Sequence, residues 1–145
     1  LTKEELDSRY HVRVERYVKD VLIELHTMRE MVDTMVIPAA YSYLSQLADA
    51  ASQSKAAGIA VIPQVATANQ VGELVQELQE FREDLSDVIA RAEAMHEDPS
   101  GQAELLTSEG ADTMAEVRKV CDALELCVAD DCWPLPKYRE MLFPV

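Results

Sequence analysis

The chain has 145 residues, 48% hydrophobic and 28% charged, a balance that supports a buried core in a single domain and excludes a disordered polypeptide. Its net charge of −14 at pH 7 repels phosphate backbones. The 13 Lys and Arg residues form no patch of the kind that binds nucleic acid or anionic lipid, so no nucleic acid and no membrane is expected as a partner.

Four glycines and six prolines, in a chain rich in Ala, Glu, Leu, Val and Gln, predict an all-α protein. Leu1 stands where a translation start would place Met, and Thr2 with Glu5 reads as a capping box, so the first residue is expected to come from a cut inside a longer protein. Apolar residues at Val14, Val18, Val21, Leu25, Met28, Val32 and Met35 recur at alternating spacings of four and three, the stripe of one long helix. Pro38 lacks an N–H and clashes with the preceding turn. A kink or break is therefore expected near Val36, after which Ala40, Leu44, Leu47 and Ala51 resume the pattern. Gly58 to Pro63 reads as a packed, partly buried connection.

A second helix is predicted from about Thr67, capped by that residue with Gln70 reaching back, along Val71, Leu74, Leu78, Phe81, Leu85, Val88, Ala92 and Met95. Asp98-Pro99-Ser100-Gly101 ends it and supplies turn and cap chemistry. Met114, Val117, Cys121, Leu124 and Val128 mark a third helix, and Gly110 blurs where it starts. The expected fold is an elongated antiparallel bundle of three long helices over residues 1–132, the first kinked at a proline, with an extended C-terminal strap over residues 133–145 of the same domain.

Few residues suggest chemistry. Glu93 and His96 form one E-x-x-H step, but a carboxylate-bridged di-iron site needs two such steps and two further glutamates. His26 with Glu30 and His11 with Glu15 read as surface pairs one turn apart, short of the converging ligands zinc requires. The acid run Glu73, Glu77, Glu80, Glu83, Asp84 and Asp87 reads as a solvated face. Cys121, Cys127 and Cys132 contain no C-x-x-C and read as reduced thiols without a partner that would make a nucleophile. Nucleotide-binding, metalloprotease and hydrolase motifs are missing, so catalytic, cofactor-binding and metal residues are all expected to be none. There is no run of about 18 apolar residues and no signal-peptide pattern, so the expected compartment is the cytoplasm.

The most distinctive stretch runs from Trp133 to Phe143. Trp133 is the sole Trp, and Pro134 and Pro136 fix φ, so the segment should be extended and inexpensive to order against a surface. Trp133, Pro134, Pro136, Tyr138, Leu142 and Phe143 are the candidate interface residues; a short wrap closing the bundle end is the equally weighted alternative.

Together with Tyr17, Val18, Lys19, Glu24, Met28, Met31, Pro38 and Ala39 in the first helix, and Arg118, Asp122, Leu124 and Glu125 leading to it, this strap resembles the C-terminal end of type III glutamine synthetases. Leu25-His26 and Cys132 depart from the family pattern. The resemblance implies a parent enzyme that ligates ammonia to glutamate using ATP and Mg2+ or Mn2+ in a ring-shaped homo-oligomer. It further implies that this fragment, without cofactors of its own, packs on its own catalytic domain and on neighbouring subunits. The alternative reading is a self-contained helical interaction module, a sensor or adaptor that binds a protein partner through the strap.

Overall fold

The computed structural model describes residues 2–142, apart from the side chains of residues 138 and 139. Thr2 Oγ1 accepts from Glu5 N at 3.2 Å while Thr2 N donates to Glu5 Oε2 at 3.0 Å, the reciprocal box that starts α1, Lys3–Met31. The apolar stripe of α1 is in place: Val18 and Leu25 are buried, and Val14, Val21 and Met28 are half-buried.

Pro38 does not break the helix. Residues Val32–Val36 form a π-helical turn in which Ile37 N–H reaches back five residues to Val32 O, and α2, Ile37–Ala56, follows with Pro38 in its first turn. Pro38 has no N–H to offer and its ring crowds the turn before it, so the wider π turn carries the ladder past it without ending the helix. Gly58, at φ 76°, closes α2: Ile59 N reaches Ser54 O at 2.9 Å and Gly58 N reaches Lys55 O at 3.1 Å, which satisfies the last carbonyls.

The connection that follows is exposed apart from the half-buried Val61, and so less buried than expected, with Ile59 and Ile62 61% and 77% accessible. The second helix also starts earlier than predicted: α3 covers Ile62–Ala94. Pro63 fits the first turn, where an N–H has no intrahelical partner. Thr67 is inside the helix and its hydroxyl donates to Pro63 O at 3.1 Å, so it does not cap.

Asp98 caps α4, Pro99–Leu105, by accepting from Gly101 N at 3.0 Å. A second π-helical turn, Leu106–Gly110, joins it to α5, Ala111–Cys127. The Thr107 and Ser108 hydroxyls donate to Ala103 O at 2.6 Å and Glu104 O at 2.8 Å, so these carbonyls are satisfied while the backbone ladder slips by one residue. The third helical stretch therefore starts at Pro99, and Gly110 is tolerated within it. A turn leads to the short helix α6, Tyr138–Leu142.

A Cβ at Gly101 would collide with the capping carboxylate of Asp98 and lie 2.7 Å from Met95 Cε. Gly101→Ala should therefore displace the cap and cost about 1 kcal/mol, the usual worth of an N-cap, read as a lower urea midpoint at an unchanged slope.

All described residues are helical or irregular, with no strand among them, and no helix there is long and apolar enough to cross a membrane. The all-α expectation holds, but only α1 and α3 are long uninterrupted helices, of 29 and 33 residues: one π turn separates α1 from α2 (20 residues), the other separates α4 (7) from α5 (17), and the strap expected to be extended contains α6. The residues form two compact units, Leu1–Glu30 with Phe81–Val117, and Met31–Glu80 with Arg118–Val145. In the first, Val18, Leu25, Leu85, Ile89, Leu106 and Val117 are buried. In the second, Val32, Val36, Val71, Leu78, Leu124 and Val128 are.

Candidate functional site

The strap belongs to the second unit, and its first residue is anchored there. α5 ends at Cys127, and Cys132 N and Trp133 N both donate to Ala129 O, at 3.0 and 3.1 Å, which turns the chain back. Trp133 is 8% exposed, so its ring is buried within the chain, yet its Nε1–H meets no acceptor among the described residues. Cys132 Sγ accepts from Gln46 Nε2 at 3.1 Å, and Cys127 Sγ accepts from Gln70 Nε2 at 3.4 Å, which ties the end of α5 to α3 and the following turn to α2.

Lys137 was not foreseen as a functional residue. Its ammonium group donates to Glu125 O at 3.0 Å and Val128 O at 3.4 Å and pairs with Asp130 Oδ1 at 2.6 Å, with the side chain 13% exposed. A cation on the last carbonyls of a helix satisfies orphan acceptors and opposes the negative end of the helix dipole. The sequence signal was a lone Lys between prolines and acids after the helix, a pattern that gives the cation but not the carbonyls it meets. Lys137 also opens α6, with Lys137 N donating to Glu140 Oε2 at 3.2 Å.

The remaining candidate interface residues divide. Pro134 and Pro136 are exposed and Leu142 is 72% accessible; the Tyr138 side chain and Phe143 lie outside the described residues.

In the first unit the histidines pair differently from the sequence reading. His26 Nε2 lies 2.9 Å from Glu93 Oε1, across 67 residues, and Arg29 Nη2 lies 3.2 Å from His26 Nδ1. A carboxylate and a guanidinium thus bracket one imidazole. His96 is 3.9 Å from Glu97 and lines an open groove of about 360 Å³ with Glu15, Lys19, Glu93 and Gln102. Gln102 is buried and donates to Ala92 O at 2.8 Å, closing the end of α3.

Arg91 holds Glu109 through two hydrogen bonds of 2.6 and 2.9 Å, which keep the Glu109 carboxyl below the usual carboxylate range. Burial, with a smaller contribution from Asp122, pushes the Cys121 thiol up to about 11, so it behaves as a packed apolar group. Among the described residues no group of three or more His, Cys, Asp or Glu is placed to hold a metal ion.

Residues 1–55 match the family described as "Glutamine synthetase C-terminal domain". The chain is 32% identical to the type-3 glutamine synthetase of Dictyostelium discoideum, over 99% of this chain and 20% of that protein. It is 28% identical to the glutamine synthetases of Bacteroides fragilis and Butyrivibrio fibrisolvens, over 96% and 98% of this chain and 20% of each. The chain thus spans about one fifth of the length of the curated relatives it matches. The chain is therefore similar to type-3 glutamine synthetase over nearly its whole length, and to the C-terminal-domain family over residues 1–55.

Proposed function

We propose that this chain, similar over nearly all its length to one fifth of a type-3 glutamine synthetase, is the non-catalytic C-terminal structural and assembly domain of such an enzyme. The parent would ligate ammonia to glutamate in the cytoplasm, using ATP and Mg2+ or Mn2+ held by residues outside these 145. Partners of the domain would be its own catalytic fold and neighbouring subunits of a homo-oligomer.

The observation that carries this reading is the pairing of whole-chain similarity with one-fifth coverage of each relative. The strap has two parts: Trp133 and Lys137 fix it to the end of α5, and Pro134, Pro136, Tyr138, Leu142 and Phe143 meet the partner. A pre-ordered strap loses less entropy on docking, which favours association.

The test uses the full-length gene product. It should make glutamine in an ATP-dependent assay and sediment as an oligomer, and removal of residues 133–145 should weaken that assembly. The 145-residue chain should make no glutamine. Tight, stoichiometric ATP binding to the 145-residue chain in calorimetry would overturn the non-catalytic assignment, and an unaltered oligomer after strap removal would overturn the assembly role.

A further inference from the structure

The first turns of α1 are unusually bare. Every residue from Thr2 to Arg13 is exposed, although Leu6, Tyr10 and Val12 are 53%, 58% and 64% accessible apolar side chains. At 3.6 residues per turn, Leu6, Arg9, Tyr10, Arg13, Arg16 and Tyr17 fall on one face about a third of the helix wide. Arginine and tyrosine are the residue types that most often anchor protein interfaces, because each offers a large flat area with fixed hydrogen-bonding points.

Tyr17 is already fixed in place: its hydroxyl lies 2.9 Å from Thr107 Oγ1. Arg16 shares its charge with Asp20 at 3.6 Å, across two exposed side chains, which leaves Arg9 and Arg13 as the central cations of the face.

The same chain carries the complementary surface. Glu73, Glu77 and Glu80 of α3 are exposed and spaced i, i+4, i+7, the spacing of Arg9, Arg13 and Arg16 on α1. Gln76 Nε2 donates to Glu80 Oε1 at 3.2 Å and orients that carboxylate. On a chain of net charge −14, a face led by three arginines is a local exception, and an acidic helix of equal charge spacing is the surface it fits.

We infer that the Arg9–Arg13–Arg16 face of α1 docks on the Glu73–Glu77–Glu80 face of α3 in a second copy of this chain. Each copy offers one face of each sign, so every copy can serve as both donor and receptor of the contact. Tyr10, Leu6 and Tyr17 supply the apolar area, and the charges set register and orientation. The acidic face of α3, solvated in a single copy, becomes the receptor for its neighbour. The inference deepens the assembly role proposed above and rests on it; the two fail separately, because the strap is scored on the full-length enzyme and this contact on the 145-residue chain.

Sedimentation velocity of the 145-residue chain tests it. At about 0.01 M salt, where charges act over about 30 Å, the wild type should sediment above its 16.2 kDa monomer mass, and at about 1 M, where they act over about 3 Å, it should revert to monomer. Arg9→Glu/Arg13→Glu and Glu73→Lys/Glu77→Lys should each weaken self-association at least about tenfold at low salt. An equimolar mixture of the two should restore it, since every reversed face then meets its opposite. If circular dichroism finds a reversal variant unfolded, the neutral Arg9→Gln/Arg13→Gln variant takes its place and should also run as monomer. A wild type monomeric at every low-salt concentration, a folded variant that associates as the wild type does, or a mixture of the reversal variants that stays monomeric would each overturn the proposal.

Discussion

Trp133→Ala should lower unfolding free energy by about 3–5 kcal/mol, the usual cost of emptying a large buried aromatic site. The ring is 8% exposed, and with Lys137 on the carbonyls of Glu125 and Val128 it holds the strap to the end of α5. Trp133→Phe should cost less, because it keeps most of the apolar area and removes an N–H that is buried without an acceptor among the described residues, a liability of about 1–3 kcal/mol. Lys137→Met, which leaves those carbonyls and Asp130 without their cation, should fall between the two. Urea unfolding followed by circular dichroism ranks the three. The sole tryptophan adds a direct probe: in the wild type its emission should shift to longer wavelength in the transition in which helix is lost. A shift well before helix loss, together with a wild-type midpoint for Trp133→Ala, would mean that the strap does not contribute to the folded core.

Leu25→Ala and Leu78→Ala should each cost about 2–5 kcal/mol, through lost transfer free energy and the cavity left behind. Both side chains are fully buried, Leu25 in the first unit and Leu78 in the second. By contrast, Leu126→Ala, two residues from the buried Leu124 on the opposite face of α5 and 87% exposed, should stay within about 0.5 kcal/mol. Equal midpoints for all three variants would contradict the assignment of the buried stripes. Thermal unfolding gives an independent reading of the same order.

The buried positions were legible in the sequence because the period of a helix is fixed at 3.6 residues, so spacings of three and four place Val18, Leu25, Val32, Val71, Leu78, Leu85, Val117 and Leu124 on inward stripes. Val75, Ile89 and Val120 escaped that reading, since a stripe of buried residues is wider than one heptad seam. The capping box at Thr2 and Glu5 and the Asp98 cap were legible for a similar reason: each is closed by atoms within three residues. So was the resemblance the strap carries, since its Trp and its Pro134-Leu135-Pro136 spacing occur nowhere else in the chain.

What depended on distant atoms was not legible. The response to Pro38 could have been a break, a kink or a π turn, since all three relieve the missing donor, and only the packing of Val32 and Val36 on the core decides for continuous helix. His26 has Glu30 one turn away in sequence but meets Glu93, and Lys137 meets the end of α5, because both partnerships require separate segments of chain to be brought together. Composition, period and local hydrogen bonding thus determined the all-α class, the buried stripes and the caps at Thr2 and Asp98. The routes taken at Pro38 and Gly110, the exposure of Ile59 and Ile62, and the burial of Trp133 were decided by tertiary structure, because each depends on which surfaces the folded chain brings into contact.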